Sequence, residues 1–343
     1  MHLLLLLLFF THGILYFIYP VELNNPSSFI KFIKYIIIVF FSIYFLNTIK
    51  LKELRNIIFI LTISFVFYLV ANNFVLEQIY FLFLIPIVIT YLYINEIDKH
   101  ILYKASKYIY FIISLFAYIE YTFFSAFFTK FSYGIYGYRC SSILVNPNNF
   151  GITIVFITIY LLENLKYKIL KGIVLLNSII LIYFSFSKTA MVILLIYLMY
   201  KNYKFFIPIF SLLTFLLVLN NKINIDDKYT ASLDARVTYN SNMYDMINNN
   251  IFFPFLNSYQ YTDNIYLHIW GSFGLLGLLT YIFLIVFTVL SFLLSKMFIN
   301  VLILFLFLFV GYTTNYLYLW PLAYMFWGFV FYNLNIIYKV KKI

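Results

Sequence analysis

Asp263 and Asn264 open a long apolar run, "DNIYLHIWGSFGLLGLL", in which nine residues separate the asparagine from Gly274 and two more separate Gly274 from Gly277. A carboxylate can take a proton from a hydroxyl, and an amide beside it can orient that hydroxyl. His268 follows Asn264 by four residues, which puts it one turn deeper on the same helical face. Asp263, Asn264 and His268 would therefore form a short polar ladder at the head of an apolar helix. The plainer account is a helix start capped by Asp263, with a histidine that happens to follow.

Two arginines stand upstream of this run, Arg139 and Arg236; the third of the chain is Arg55. Arginine keeps its charge and presents a planar fork that matches phosphate oxygens, although a lone arginine in a loop also suits lipid headgroups. "NPNNFG", Asn146 to Gly151, follows Arg139 by seven residues. Pro147 keeps Asn146 out of the helical region, so Asn148 or Asn149 is the expected cap of a helix beginning there. "SFSKTA", Ser185 to Ala190, is a tight turn between two apolar segments. It carries Lys188, a point charge that suits an anionic lipid but that, alone, also fits a lysine snorkelling to the headgroups. Glu120 lies inside an apolar segment, where a carboxyl is costly unless it faces a polar cavity.

The elements that position these residues follow from composition. The chain has 343 residues, of which 64% are hydrophobic and 10% charged. A soluble domain is about half apolar and about a quarter charged, so lipid is the expected solvent for most of this chain. Apolar spans fall near 3–19, 30–47, 57–73, 76–95, 108–128, 148–164, 172–186, 189–203, 205–220, 264–295, 298–314 and 317–337. The expected fold is thus all-α: a polytopic membrane protein of about 12 transmembrane helices, forming one membrane domain over residues 1–343.

The net charge of +11 would suit nucleic acid. Its placement argues otherwise. Lys50, Lys52 and Arg55, the lysines from 99 to 107, 166 to 171 and 201 to 204, Lys296, and Lys339 to Lys342 all fall on one side of twelve alternating spans. The rule that cytoplasmic loops are basic puts that side, and both termini, in the cytoplasm. Two sizeable loops remain outside. One covers about 129–147 and holds Arg139. The other covers 221–263, holds Arg236 and Asp263, and is expected to act as a lid with one short helix capped by Asp234. Segment 264–295 is too long for the bilayer core if straight. It should tilt, or begin outside the core.

One cysteine, Cys140, excludes an intrachain disulfide and a cysteine-cluster metal site. The four histidines are scattered, and there is no phosphate-cradling glycine loop and no serine nucleophile elbow. No cofactor is expected.

Taken in order, Arg139 with "NPNNFG", then "SFSKTA", then Arg236 with "VTYNSNMYDMINNNIFFP", then Asn264-x9-Gly274-x-x-Gly277, the pieces resemble the O-antigen polymerase and O-antigen ligase superfamily. The resemblance covers about residues 139–280. It implies a glycosyltransferase of the bacterial cytoplasmic membrane whose active site is on the outer face. Such an enzyme transfers an undecaprenyl-diphosphate-linked glycan to an acceptor, with inversion at the anomeric carbon and with neither metal nor nucleotide. The expected partners are the lipid-linked donor and acceptor and the bilayer, with a flippase and a chain-length regulator alongside, and no nucleic acid. Asp263 stands where ligases of the superfamily carry histidine, and Lys188 stands where the family has arginine. The first departure favours a polymerase of O-antigen or capsule repeats over a ligase. A flippase of lipid-linked glycans is the remaining alternative, but it should carry several mid-membrane charges. Arg139, Arg236 and Lys188 would hold the diphosphate, with Asn148, Asn264, Gly274 and Gly277 also lining the substrate. Asp263, His268 or Glu120 would take the acceptor's proton.

Overall fold

Helix α1, Lys99–Phe123, is the first described element in the computed structural model, which describes residues 99–123, 133–134, 137–144, 146–201, 228–252, 262–318 and 322–340. Among these residues the chain is helical. A two-residue antiparallel pairing, β1 (Tyr133–Gly134) with β2 (Gly137–Tyr138), precedes Arg139. A 3-10 turn at Ser142–Leu144 follows. Then come α2 (Pro147–Asn164), α3 (Lys168–Ser185), α4 (Lys188–Lys201), α5 (Lys228–Asn249), α6 (Ile265–Leu294), α7 (Phe298–Thr313), a second 3-10 turn at Tyr316–Tyr318 and α8 (Leu322–Val340). The expected spans at 3–19, 30–47, 57–73, 76–95 and 205–220 lie outside the described residues. Helices occupy most of the described parts of the other seven. Two of them, α3 and α6, are long and apolar enough to cross a membrane.

The chain divides into two compact units, Ser106–Ser241 and Met1–Ala105 with Asn242–Ile343. In the first, α2 is the central helix. Thirteen of its eighteen residues are buried, as a helix apolar on every side must be. Helix α3 inverts the pattern of a soluble protein. Ser178 and Ser185 face inward with Leu181 and Ile182, while Ile169, Ile173, Leu176, Ile179 and Tyr183 are exposed. Small polar residues glue helices in lipid, and large apolar ones face the acyl chains. The glue is visible as hydrogen bonds: the Tyr110 hydroxyl lies 2.7 Å from Ser178 Oγ, which lies 2.6 Å from Thr158 Oγ1. Helix α6 repeats the inversion with Leu276, Leu279, Phe283, Leu290 and Leu294 exposed.

In the second unit, Phe307, Tyr316 and Phe326 pack with ring centroids 5.1 to 5.7 Å apart, and the Tyr281 and Tyr316 hydroxyls meet at 2.9 Å. Helix α6 is broken within its length. Gly274 has φ 70° and ψ −176°, a conformation essentially confined to glycine. The break resolves the excess length of this segment. The stretch 275–294 rises about 30 Å, the thickness of the hydrocarbon core, and residues 265–273 form a separate short helix before it. It also accounts for Gly277, because a Cβ there would collide with Phe273 Cβ, whereas such atoms are about 5–6 Å apart in an unbroken helix.

The 221–263 loop holds more helix than expected. Helix α5 runs for 22 residues and begins at Lys228, so Asp234 lies inside it and is not its cap. Gly271 lets α6 approach α5 closely: a Cβ at 271 would strike Met243 Sδ, with Met246 Cε at 3.1 Å. Met243, Met246, Ile247 and Leu267 form a buried cluster there, partly covered by Trp270.

Candidate functional site

Three of the sequence pieces meet in the unit Ser106–Ser241. Helix α2 begins where Asn146 leaves the extended region. Its side-chain Oδ1 accepts from Asn148 N at 2.8 Å and from Asn149 N at 3.4 Å, with Pro147 as first helical residue. Asn146 is therefore the cap, not Asn148 or Asn149. Proline before the helix leaves its predecessor extended, and an extended asparagine is in the capping conformation. Asn148 is thereby released for another partner. Its Oδ1 accepts from Arg139 Nη2 at 2.7 Å, while Arg139 Nε donates to the Ser185 carbonyl at 3.0 Å.

That carbonyl belongs to the turn predicted from "SFSKTA". Helix α3 ends at Ser185, Phe186 takes the left-handed conformation at φ 47°, and α4 starts two residues later at Lys188. The turn packs on α2 at Gly151, where a Cβ would lie 2.6 Å from Ser187 Cβ and 2.7 Å from Ser185 Oγ. Glycine is required there because side-chain atoms of Ser185, Ser187 and Ala190 occupy the space a Cβ would take. The Cys140 amide donates to the Phe184 carbonyl at 2.9 Å, so both the guanidinium of Arg139 and the backbone that follows it are fastened to the end of α3. Lys188 is exposed, three residues from the carbonyl that Arg139 holds. The result is a guanidinium held by two neutral acceptors, with an exposed cation nearby in sequence.

Glu120 belongs to the same unit but not to an open cavity. It is buried, and its carboxyl accepts from Ser141 N at 3.1 Å, Ser141 Oγ at 3.4 Å, Cys140 Sγ at 3.2 Å and Ser142 N. The expectation that it faces a cavity, ready to take a proton, is corrected. A carboxyl inside an apolar helix bundle has to be satisfied, and here the turn after Arg139 satisfies it. Burial, and then the neighbouring Glu120 carboxyl, push the Cys140 thiol far above its ordinary pKa, which leaves it an inert hydrogen-bond donor.

Asp263, Asn264, His268, Gly274 and Gly277 all lie in the other unit. Asn264, not Asp263, is the cap of α6: its Oδ1 accepts from Tyr266 N at 2.9 Å and Leu267 N at 3.2 Å. Asp263, one residue earlier, is partly exposed. The chain ahead of the cap is held by the Thr262 hydroxyl, which accepts from Asn264 N at 3.1 Å, and by Asn315 Nδ2, which donates to the Thr262 carbonyl at 3.3 Å. His268 is fully buried, so the expected polar ladder stops at Asp263 and Asn264 and does not continue along the helix into open space. Arg236 sits in the third turn of α5 and is partly buried. Among the described residues no group of three or more His, Cys, Asp or Glu is placed to hold a metal ion.

Asn264→Ala should lower the thermal midpoint of the full chain in detergent by the equivalent of about 1 kcal/mol, while Asn264→Asp should keep most of it. Equal midpoints for the alanine variant and the native chain would remove Asn264 as the cap.

Sequence reasoning did not find Ser185, Cys140, Ser141, Ser142 or Asn315. Backbone carbonyls and amides carry no sequence signal, and Asn315 lies in a segment of ordinary polarity between two apolar helices.

These features define a helical chain with helices apolar enough for a membrane and an anchored arginine at a helix junction. No family model, no curated protein and no solved structure matches the chain.

Proposed function

We propose that this chain is a membrane glycosyltransferase that polymerises lipid-linked polysaccharide repeats on the outer face of a bacterial cytoplasmic membrane. The observation that carries the reading is the junction of Arg139, "NPNNFG" and "SFSKTA", three sequence pieces that resemble the O-antigen polymerase superfamily. A guanidinium with its plane set beforehand is a preorganised partner for a diphosphate leaving group. The exposed apolar stripes of α3 and α6 support a lipid environment. The full architecture in this reading is about 12 spans, with both termini cytoplasmic and the 221–263 segment as an outer lid.

In the reaction, an acceptor sugar hydroxyl attacks the anomeric carbon of the donor glycan. The carbon–oxygen bond to the undecaprenyl diphosphate breaks, and the electron pair leaves with the diphosphate. Arg139, Arg236 and Lys188 offset that charge, and the hydroxyl proton passes to a carboxylate. Asp263 is the first choice for that base because it is partly exposed, whereas Glu120 is already an acceptor for four donors and His268 is buried. The activated diphosphate bond supplies the driving force.

The test is a gel of surface glycans from cells deleted for the gene. Loss of the polymer ladder with single repeats still attached is expected, and the native allele should restore it. Long chains held on the carrier lipid would instead identify a ligase. In the same cells Asp263→Asn should leave no more than about 1% of the ladder, the scale of a lost general base. A full ladder would take the role of base from Asp263.

A further inference from the structure

Glu120 is the feature that the reaction does not use. It is a buried carboxyl on α1, 19 residues before Arg139, and four donors from the segment that follows that arginine converge on it. Two are consecutive backbone amides, Ser141 N and Ser142 N. Successive amides that converge on one acceptor form a concave nest. Ser142 takes the left-handed conformation at φ 51°, and its amide donates to the carboxyl. Its hydroxyl then donates to the Ile113 carbonyl of α1 at 2.9 Å, two turns before Glu120. The segment is therefore clasped to α1 on one side. On the other, Cys140 N and Arg139 Nε hold it to the end of α3.

We propose that Glu120 is a positioning residue for Arg139: its carboxyl is the anchor around which residues 140–142 fold, and that fold sets where the guanidinium stands. The inference rests on the reading of Arg139 as the diphosphate clamp. The chemistry of the anchor is specific. Glutamine has the same length, but its amide nitrogen would face N–H donors, leaving at least one buried amide without an acceptor. Aspartate keeps both acceptor oxygens and loses one methylene, so the nest can follow it.

The chain's single cysteine makes this measurable without any substrate. Cys140 is fully buried, and its thiol donates to Glu120. In the full-length protein in nanodiscs, a soluble maleimide should label Cys140 slowly. Glu120→Gln should raise the labelling rate about tenfold or more, the factor that one lost buried acceptor gives to local opening. Glu120→Asp should restore it to near native. Binding of undecaprenyl diphosphate to the same nanodiscs supplies the second readout. Glu120→Gln and Arg139→Gln should weaken it to a similar degree, and the double variant no further, since both act on one element.

Native labelling in Glu120→Gln would overturn the anchor. Additive losses of binding in the double variant would overturn its action through Arg139. If Glu120→Gln opens the segment but Arg139→Gln leaves diphosphate binding unchanged, the anchor stands and the diphosphate clamp falls, and with it the observation behind the proposed function.

Discussion

Arg139→Ala is expected to reduce chain polymerisation by a factor of about 100 to 1,000, the loss typical of removing one preorganised charge donor from a transition state. In the proposed reaction charge develops on the leaving diphosphate as the anomeric bond breaks, and an arginine already held in place needs no reorganisation to meet it. The fixing bonds are those to Asn148 Oδ1 and the Ser185 carbonyl. Arg139→Lys should fare little better, because an ammonium cannot span two acceptors and keep a fork in one plane. Lys188→Ala should lose much less. Lys188 is exposed, and an exposed charge is screened by solvent. The assay is elongation of lipid-linked repeats by membranes containing equal amounts of each variant. A rate for Arg139→Ala within about threefold of native, far less than a clamp should contribute, would exclude Arg139 from the clamp.

A structural effect must be separated from this one. Removing Arg139 also frees two acceptors, and Asn148 lies beside the cap of α2. Asn148→Ala removes one of the two fixing bonds and leaves the charge. Its loss should be about 1 kcal/mol of stability with a smaller loss of rate than Arg139→Ala. An equal loss of rate would mean that the orientation of the guanidinium matters as much as its charge.

The parts of this arrangement that were legible in the sequence are those with a local cause. The apolar segments at 148–164, 172–186 and 298–314, and 317–337 from Leu322 onward, are read as helices because a helix satisfies the backbone of an apolar run within the run itself. The turn at Phe186 was legible because polar residues interrupt two apolar segments there. The caps were legible only to within a residue or two. Proline at 147 marks the helix start, but the residue sequence does not say that Asn146 rather than Asn148 turns its side chain back. In the fold the extended Asn146 accepts from the helix start, and the side chain of Asn148 is left to Arg139. The role of Glu120 was not legible at all. Its partners are backbone amides 21 and 22 residues away, and only the tertiary structure brings a carboxyl to them. The same holds for α5, where Asp234 looks like a cap and lies within a helix that had begun at Lys228.

The glycine pair of α6 shows how a motif read as spacing becomes a requirement of backbone geometry. Gly274→Ala is expected to lower stability by about 1–3 kcal/mol, because φ 70° with ψ −176° excludes a Cβ. The variant has two options, and both are costly. It can keep the break and bear the strain. It can instead straighten, since alanine is the best helix former. A straight α6 would extend about 45 Å against a core of about 30 Å. Straightening would also pull the short helix 265–273, with its buried Leu267 and His268, away from the methionines that Gly271 admits. Either outcome disturbs the start of α6 where Asp263 stands, so polymerisation should fall by more than about fivefold, the factor that corresponds to the lower end of that strain.

Gly172→Ala is the matched control. It lies in α3 with nothing within 4 Å of an added Cβ, and alanine there should be neutral or stabilise by about 0.4–1 kcal/mol. Gly277→Ala should resemble Gly274→Ala for a different reason, the collision with Phe273. Combining Gly277→Ala with Phe273→Ala does not remove the Cβ at 273 and should therefore not restore stability, while Phe273→Gly in the same background should relieve the collision. Thermal midpoints in detergent and elongation rates in membranes read both effects. If Gly274→Ala and Gly172→Ala behave alike, the break at Gly274 is not a fixed part of the folded chain, and the Gly-x-x-Gly spacing has no geometric role.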